Sequence, residues 1–332
     1  MEKDVLKDHR KVVDIRPAEI SSFSQLMDAM ERAGGFGGRK VAEATGILRR
    51  MLQDKECTRF LSFPAAIMAT GVRGVIVDMV RRGLFDVIVT TTGTLDHDLA
   101  RVWGDYYHGD FLLDDLELKE LGLMRLGNVV VPLEVYGPSL EEHLTGIFEE
   151  LYREGVREVG GAELIRMVGE RIEDDSSLLH WTARRGIPVF VPGFYDGAFG
   201  SHVWLFNQRR RDFRVDPLKD EQLLSDIVYE SKRSGALILG GGISKHHTIW
   251  WNQFRGGLDY AVYVTTAQEH DGSLSGARMR EAVSWGKVRE DASYITVEAE
   301  ITQVLPLMVM ALYEMMGVDR SVSYTHLTLP TN

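Results

Sequence analysis

The 332-residue chain has one cysteine, Cys57, so no intrachain disulfide can form. A lone thiol fits a reducing cytoplasm, the compartment expected here. Without a cysteine cluster or an HExxH pattern, no metal site is expected. Long apolar runs are also missing. Nothing approaches the roughly 18 consecutive apolar residues needed to span a bilayer, and the start, MEKDVLKDHRKVV, has no apolar leader core. Positive charge is in deficit, with 38 Lys and Arg against 49 Asp and Glu and a net charge of −11. Such a surface disfavours nucleic acid and favours cationic partners, or simply keeps the protein soluble.

What the chain does have is a repeated pattern of a short apolar run, a turn rich in Gly or Thr, and a helical period. The runs are DVIVTTT at Asp86–Thr92, IPVFVP at Ile187–Pro192, ALIL at Ala236–Leu239 and YAVYVT at Tyr260–Thr265, with NVVV at Asn128–Val131 as a further strand candidate. They are continuously apolar, as strands buried on both faces of a parallel sheet must be. Helical segments lie between them, at Ser139–Arg153, Ala162–Glu173 and Asp220–Ser234. The alternation predicts an α/β fold with a doubly wound, mostly parallel, Rossmann-like sheet. Ahead of it, Glu19–Gln53 reads as one or two helices interrupted by the glycines of Gly34–Gly38, an N-terminal helical extension. In such sheets ligands bind beyond the carboxyl ends of the strands. The polar stretches TTTGTLDHD, PGFYDGAFGS, GGGISKHH and TTAQEHDGSLSGA all fall there.

Each stretch has two readings. The glycines of GGGISKHH let backbone approach a diphosphate at a helix start, or make a tight turn. His246 and His247 are adjacent, so on a helix they point about 100° apart, a poor pair for one metal. Asp96, His97 and Asp98 either cap a helix or face a cationic amine. Asp196 divides between an Asx turn and recognition of a ribose or an amine. In EAVSWGK, Glu281 to Lys287, a lysine nucleophile would gain apolar walls and a π-face from Trp285 and a counter-charge for its substrate from Glu281. The same letters also describe a surface helix that ends in Gly and Lys. Residue reasoning reaches a nucleotide-binding α/β enzyme and stops there.

Taken in order, GGGISKHH, DYAVYVTTAQEHDGSLSGAR and EAVSWGK resemble the deoxyhypusine synthase family, in its archaeal form. The resemblance runs from about Phe60 to Leu312, through TTTGTLDHDLAR, RLGNVVVP and IPVFVPGFYDGAFGS, and is loose around GGFGGRKVAEA. It implies NAD-dependent oxidation of spermidine beside its secondary amine, capture of the product by an enzyme lysine with release of 1,3-diaminopropane, and transfer of the aminobutyl group to a lysine of the translation initiation factor 5A precursor. It also implies a homotetramer with active sites at dimer interfaces. By this resemblance Lys287 is the nucleophile and His246 the proton acceptor at the spermidine nitrogen. Thr91, Thr92, Gly93, Asp196, Gly241, Thr266, Ala267 and Glu300 would contact NAD. Asp96, His97, Ser201, Gly272, Ser273, Glu281 and Trp285 would hold the polyamine, with His246. Lys245 matches a second family lysine without an assigned role.

This chain departs from the eukaryotic family pattern at several positions. His97, Ser201 and Leu274 stand where that pattern has acidic residues, Glu300 replaces an aspartate, and Ala65 and Ala66 replace a Ser-Asn pair. Fewer carboxylates leave open a homospermidine-synthase-like transfer to putrescine, and a noncatalytic NAD-binding protein is a third reading. The expected organisation is a helical extension over residues 1–55, an NAD-binding α/β catalytic domain over 56–318, and a tail over 319–332. Within that tail VSYTHLTLPT, Val322 to Thr331, reads as a translated sequencing adaptor joined to an incomplete gene.

Overall fold

The computed structural model describes residues 9–318; the tail expected to be foreign lies outside them, as do residues 1–8. Two helices open the fold, α1 (Phe23–Ala33) and α2 (Phe36–Gln53). Ser22 caps α1 by accepting from the amide of Gln25, and Gly34 ends it at φ 71°, a left-handed conformation that suits glycine. The break falls at Gly34 and Gly35 alone; Gly37 and Gly38 are helical. The helices bury Met27, Val41, Leu48 and Met51 in the same core cluster as Leu61, Ile88, Leu237 and Val262 of the sheet.

The chain then alternates strand and helix: β1 (Cys57–Ser62), a 3-10 turn (Ala65–Ala69), α3 (Arg73–Arg81), β2 (Val87–Val89) and α4 (Thr92–Trp103). An excursion follows, with β3 (Tyr107–His108), α5 (Asp115–Glu120), β4 (Leu123–Leu126), β5 (Val129–Pro132) and α6 (Leu140–Arg153). Next come β6 (Glu158–Val159), α7 (Gly161–Gly169), α8 (Leu178–Arg185), β7 (Val189–Phe190), α9 (Ala198–Arg209), β8 (Arg214–Val215) and α10 (Pro217–Glu230). The last part holds β9 (Arg233–Leu239), α11 (Ile243–Asn252), β10 (Leu258–Thr265), α12 (Met279–Ser284), β11 (Val288–Glu298) and α13 (Ile301–Met316).

Six strands form the main sheet in the order β11-β10-β9-β1-β2-β7, and every pair is parallel. Alternate side chains enter opposite layers, as strand geometry requires. Phe60, Val87, Val89, Ala236, Ile238, Ala261 and Tyr263 pack under α10, α11 and α12. Leu61, Ile88, Leu237, Leu239, Val262 and Val264 face the other layer. Burial on both faces explains why these runs read as continuously apolar. From β1 the chain builds outward to β2 and β7, then returns to build β9, β10 and β11 on the other side. The order reverses between β1 and β9, which makes their carboxyl ends the switch-point crevice.

Three features differ from the sequence reading. The apolar run at Asn128–Val131 does form a strand, β5, but in a separate antiparallel sheet ordered β3-β5-β4. Leu126 pairs with Val129 across a two-residue Gly127-Asn128 turn, with Gly127 at φ 61°, so a hairpin captures the run before the sheet can. The central strand β1 was not expected. Its letters, CTRFLS, include Arg59, which engages Asp86 with Nη2 to Oδ1 at 2.6 Å and Nε to Oδ2 at 2.8 Å. Finally, β9 begins at Arg233, inside the predicted helix over 220–234.

Candidate active site

Because all six strands run the same way, the loops after them share one edge. Along it stand Asp196 after β7, Thr91, Thr92 and Gly93 after β2, Ala65 and Ala66 after β1, Gly241 after β9, Thr266 and Ala267 after β10, and Glu300 after β11. Packing fixes several of these positions. The Thr92 hydroxyl donates to the carbonyls of Gly193 (2.8 Å) and Phe194 (3.0 Å), tying the β2 loop to the β7 loop. A Cβ on Gly93 would lie 2.8 Å from that of Ala65, and one on Gly241 2.2 Å from the Ser275 hydroxyl, so neither site has room for a side chain. Glu300 caps α13 through the amide of Gln303. Ala66 and Glu300 both line an open cleft of about 960 Å³ that also takes in Arg101 and Tyr106.

Two buried hydroxyls at the crevice have no hydrogen-bond partner: Ser62 at the end of β1 and Ser244 in the first turn of α11. An unmet hydroxyl is uncommon in a buried position, and both flank the point where the strand order reverses. Among the described residues no group of three or more His, Cys, Asp or Glu could hold a metal ion.

Below this edge, α11 and α12 enclose a cavity of about 140 Å³ lined by Lys245, His246, Ile249, Leu274, Glu281, Trp285 and Lys287, among others. Lys287 reaches it from the start of β11, the amino end of that strand, and not from a carboxyl-end loop. The turn that delivers it is a Schellman motif. Gly286 sits at φ 67°, its N–H bonds to the Val283 carbonyl at 2.9 Å, and the Lys287 N–H bonds to the Ala282 carbonyl at 3.0 Å. The helix-end reading of Gly-Lys and the nucleophile reading therefore describe one turn. Lys287 is 8% exposed. Its Nζ lies 5.6 Å from the ring centroid of Trp250 and 5.2 Å from that of Trp285, within cation–π range of both. His246 lies over Trp250 with ring centroids 5.7 Å apart and planes at 28°. Burial, then the nearby Lys287 charge, lowers the pKa of His246 and favours its neutral form.

Lys245, 1% exposed, donates to the carbonyls of Leu274 (2.8 Å) and Ala277 (2.6 Å). Its Nζ is 3.9 Å from the centroid of Tyr263. Burial pulls its pKa down to about 8; Glu281 opposes that shift, while Arg278 and Lys287 add to it.

Against known proteins, residues 25–312 match the family model described as deoxyhypusine synthase. The chain belongs to the deoxyhypusine synthase family. It is 52% identical over 298 residues to the "Probable deoxyhypusine synthase" of Picrophilus torridus, covering 90% of this chain and 95% of that one. A protein of the same description from Thermoplasma acidophilum is 50% identical over 299 residues, covering 90% and 96%. The fold is similar to that of a crystallised candidate deoxyhypusine synthase from Entamoeba histolytica, with a TM-score of 0.62 at 24% identity over 92% of this chain and 96% of that one.

Of the polyamine positions that the deoxyhypusine synthase resemblance implies, His246, Glu281, Trp285 and the nucleophile position Lys287 share the small cavity. Gly272 and Ser273 are exposed on the loop that supplies its Leu274 wall. Asp96, His97 and Ser201 stand on α4 and α9, away from its lining. The Asp96 carboxylate is buried and caps α9, accepting from the amides of Ala198 (2.9 Å) and Phe199 (2.7 Å), and from the Tyr136 hydroxyl (3.0 Å). Asp98 does the same for α8, so both carboxylates cap helices, though not their own. Ser201 and Asp196 are exposed at the start of α9 and just before it. Trp250 escaped the sequence reading. The signal was its spacing of four from His246, which puts the two on one helical face.

His97 pairs its Nδ1 with the Tyr106 hydroxyl at 2.9 Å, and burial with Arg101 nearby lowers its pKa to about 4. Between pH 6.5 and 4 the unfolded chain therefore binds the extra proton, and stability falls as pH falls through this window. Thermal melts across pH 4–7 are expected to show that loss in the native protein and a shallower one in His97→Gln. Identical slopes would remove His97 as the cause.

Proposed function

We propose that the protein is an NAD-dependent deoxyhypusine synthase acting on spermidine and the translation initiation factor 5A precursor. The observation that carries this reading is the Lys287 amine, bracketed by two indoles in a cavity shared with His246 and Glu281, in a chain of this family. NAD fits the strand-edge row on two counts: Gly93 and Gly241 let the β2 and β9 loops pack tightly against Ala65 and Ser275, which leaves compact backbone turns at the starts of α4 and α11, and the Ser62 and Ser244 hydroxyls lack partners at the crevice. When bound there, NAD would supply a hydride acceptor and later return the hydride.

The chain's own residues supply the rest. Glu281 offers a carboxylate, and Trp285 and Trp250 offer π-faces, to a cationic amine. Neutral His246 takes the proton from the secondary amine of spermidine as the adjacent C–H bond gives up its hydride. The Lys287 amine then attacks the oxidised carbon and expels 1,3-diaminopropane, which leaves an imine on Lys287. An acceptor lysine displaces Lys287 in the same way, and return of the hydride completes the product. Dividing the transfer at Lys287 replaces one difficult displacement with two imine exchanges. The exposed aromatics at the cavity, Trp250 and Trp285, with Phe254 beside Trp250, support the expected homotetramer with subunits meeting at this face.

The test is incubation with NAD and radiolabelled spermidine, with and without the purified factor precursor. Label on the factor is the expected result. The neutral side chains at Ser201 and Leu274 favour a second reading, so release of diaminopropane with label passing only to added putrescine would establish the homospermidine-type reaction instead. Absence of spermidine-dependent NAD reduction would exclude both.

A further inference from the structure

Two lysines line the Lys287 cavity, and their bonding separates their roles. The Lys287 amine has no hydrogen bond or ion pair to any of the described residues, whereas the Lys245 amine donates to Leu274 and Ala277 and rests on the face of Tyr263. An amine so engaged is ill-placed to attack a carbon. The segment it holds, residues 268–278, has only one 3-10 turn, Glu269–Asp271, as regular structure. Single-turn backbone bonds, such as Gly276 N–H to the Ser273 carbonyl (3.0 Å) and Ala277 N–H to that of Leu274 (3.3 Å), the Asp271 carboxylate accepting from Ser273 N–H (2.8 Å) and an Arg278–Glu269 ion pair (3.2 Å) hold it from within. Side chains outside it tie its 274–277 stretch to the body of the protein: Lys245 takes two carbonyls, and the Tyr263 hydroxyl donates to the Ser275 carbonyl at 2.6 Å.

Leu274, Ala277 and Arg278 form one wall of the cavity, and His246 and Ile249 of α11 form the facing one. Lys245 adjoins His246 in the chain and grips the opposite wall. We propose that Lys245 is a positioning residue: its ammonium clamps the 272–278 loop onto α11 and so sets the width of the cavity in which Lys287 meets the polyamine. Few other side chains could do this. The acceptors belong to carbonyls three residues apart, so the donor must have several N–H bonds at the end of a long stem. Burial disfavours the charged form of Lys245, but with a pKa of about 8 the ammonium still predominates at neutral pH and keeps its donors.

The inference rests on reading the cavity as the polyamine site, so its test includes a measurement made without substrate. Lys245→Met keeps the stem and removes the donors. In the full protein without spermidine, amide hydrogen exchange over 273–277 is expected to accelerate about ten-fold or more, with the sheet amides unchanged. The KM for spermidine should rise about ten-fold, while NAD affinity stays within about two-fold and the borohydride-trapped adduct on Lys287 still forms at saturating spermidine. Lys245→Arg, which retains charge and donors, should recover part of both effects. Unchanged exchange in Lys245→Met overturns the clamp. So does loss of the adduct with the loop still protected, since that would make Lys245 a participant in the chemistry. Should the Met variant not fold, Lys245→Gln is judged by the same criteria. A wild-type protein that forms no adduct would refute the functional reading, and the exchange measurement would still decide the clamp.

Discussion

Lys287→Ala should bind NAD and spermidine but form no borohydride-trapped adduct, and turnover should fall by roughly 10³-fold or more, the scale on which loss of a covalent catalyst is felt. The structure gives reason to expect the fold to survive. The Lys287 backbone is held by its N–H to the Ala282 carbonyl and by its own carbonyl accepting from Leu258 N–H at 3.1 Å; neither bond involves the side chain. The side chain makes cation–π contacts with Trp250 and Trp285 and leaves no buried partner unpaired when it is removed. Lys287→Arg sharpens the test. A guanidinium keeps a cation between the indoles but cannot form the imine, so it should be as inactive as alanine. Activity retained in the arginine variant, or an unchanged adduct in the alanine one, would move the nucleophile elsewhere in the cavity.

How this site could be anticipated depended on how local its signals were. The apolar runs of β2, β7, β9 and β10 announced a parallel sheet because both faces of each strand are buried, and burial is written into consecutive letters. The strand-end loops then located the edge without further information. By contrast, β1 is central yet unannounced, because the Arg59–Asp86 pair places a charge inside its run. The run in β5 has the right letters but belongs to a hairpin, and the Gly-Asn turn that diverts it was readable beforehand. Within the site, Lys287, His246, Glu281 and Trp285 were legible through the family resemblance, and the structure brings them into one cavity. Residue reasoning alone left Lys287 between nucleophile and helix end, since one Gly-Lys turn serves as both. Asp96 and Asp98 show the opposite limit. Their capping chemistry was legible, but the helix that Asp96 caps begins about a hundred residues later and the one that Asp98 caps about eighty residues later, a pairing that only the fold creates.

That pairing makes Asp98 the position where one substitution should harm stability most. Its carboxylate is fully buried and accepts four hydrogen bonds: Arg73 Nε at 2.8 Å, the Ser177 hydroxyl at 2.7 Å, and the amides of Leu178 at 2.9 Å and Leu179 at 3.0 Å. Arg73 is itself 5% exposed and also donates to the Asp98 carbonyl at 3.3 Å. One side chain thus joins α3, α4 and the start of α8. Asp98→Ala removes the cap of α8 and strands a buried guanidinium, a change that typically costs about 3–5 kcal/mol. Asp98→Asn keeps the shape and one acceptor oxygen, so it should lose less, the difference reflecting the charge on Arg73. Because α4 carries Thr92 and Gly93 at its amino end, the alanine variant should also weaken NAD binding, but only as far as α4 is displaced. Denaturant unfolding of the two variants beside the native protein measures the first effect. A loss below about 1 kcal/mol in Asp98→Ala would mean that water or a rearranged Ser177 takes over the guanidinium, and that this junction is more adaptable than its burial suggests.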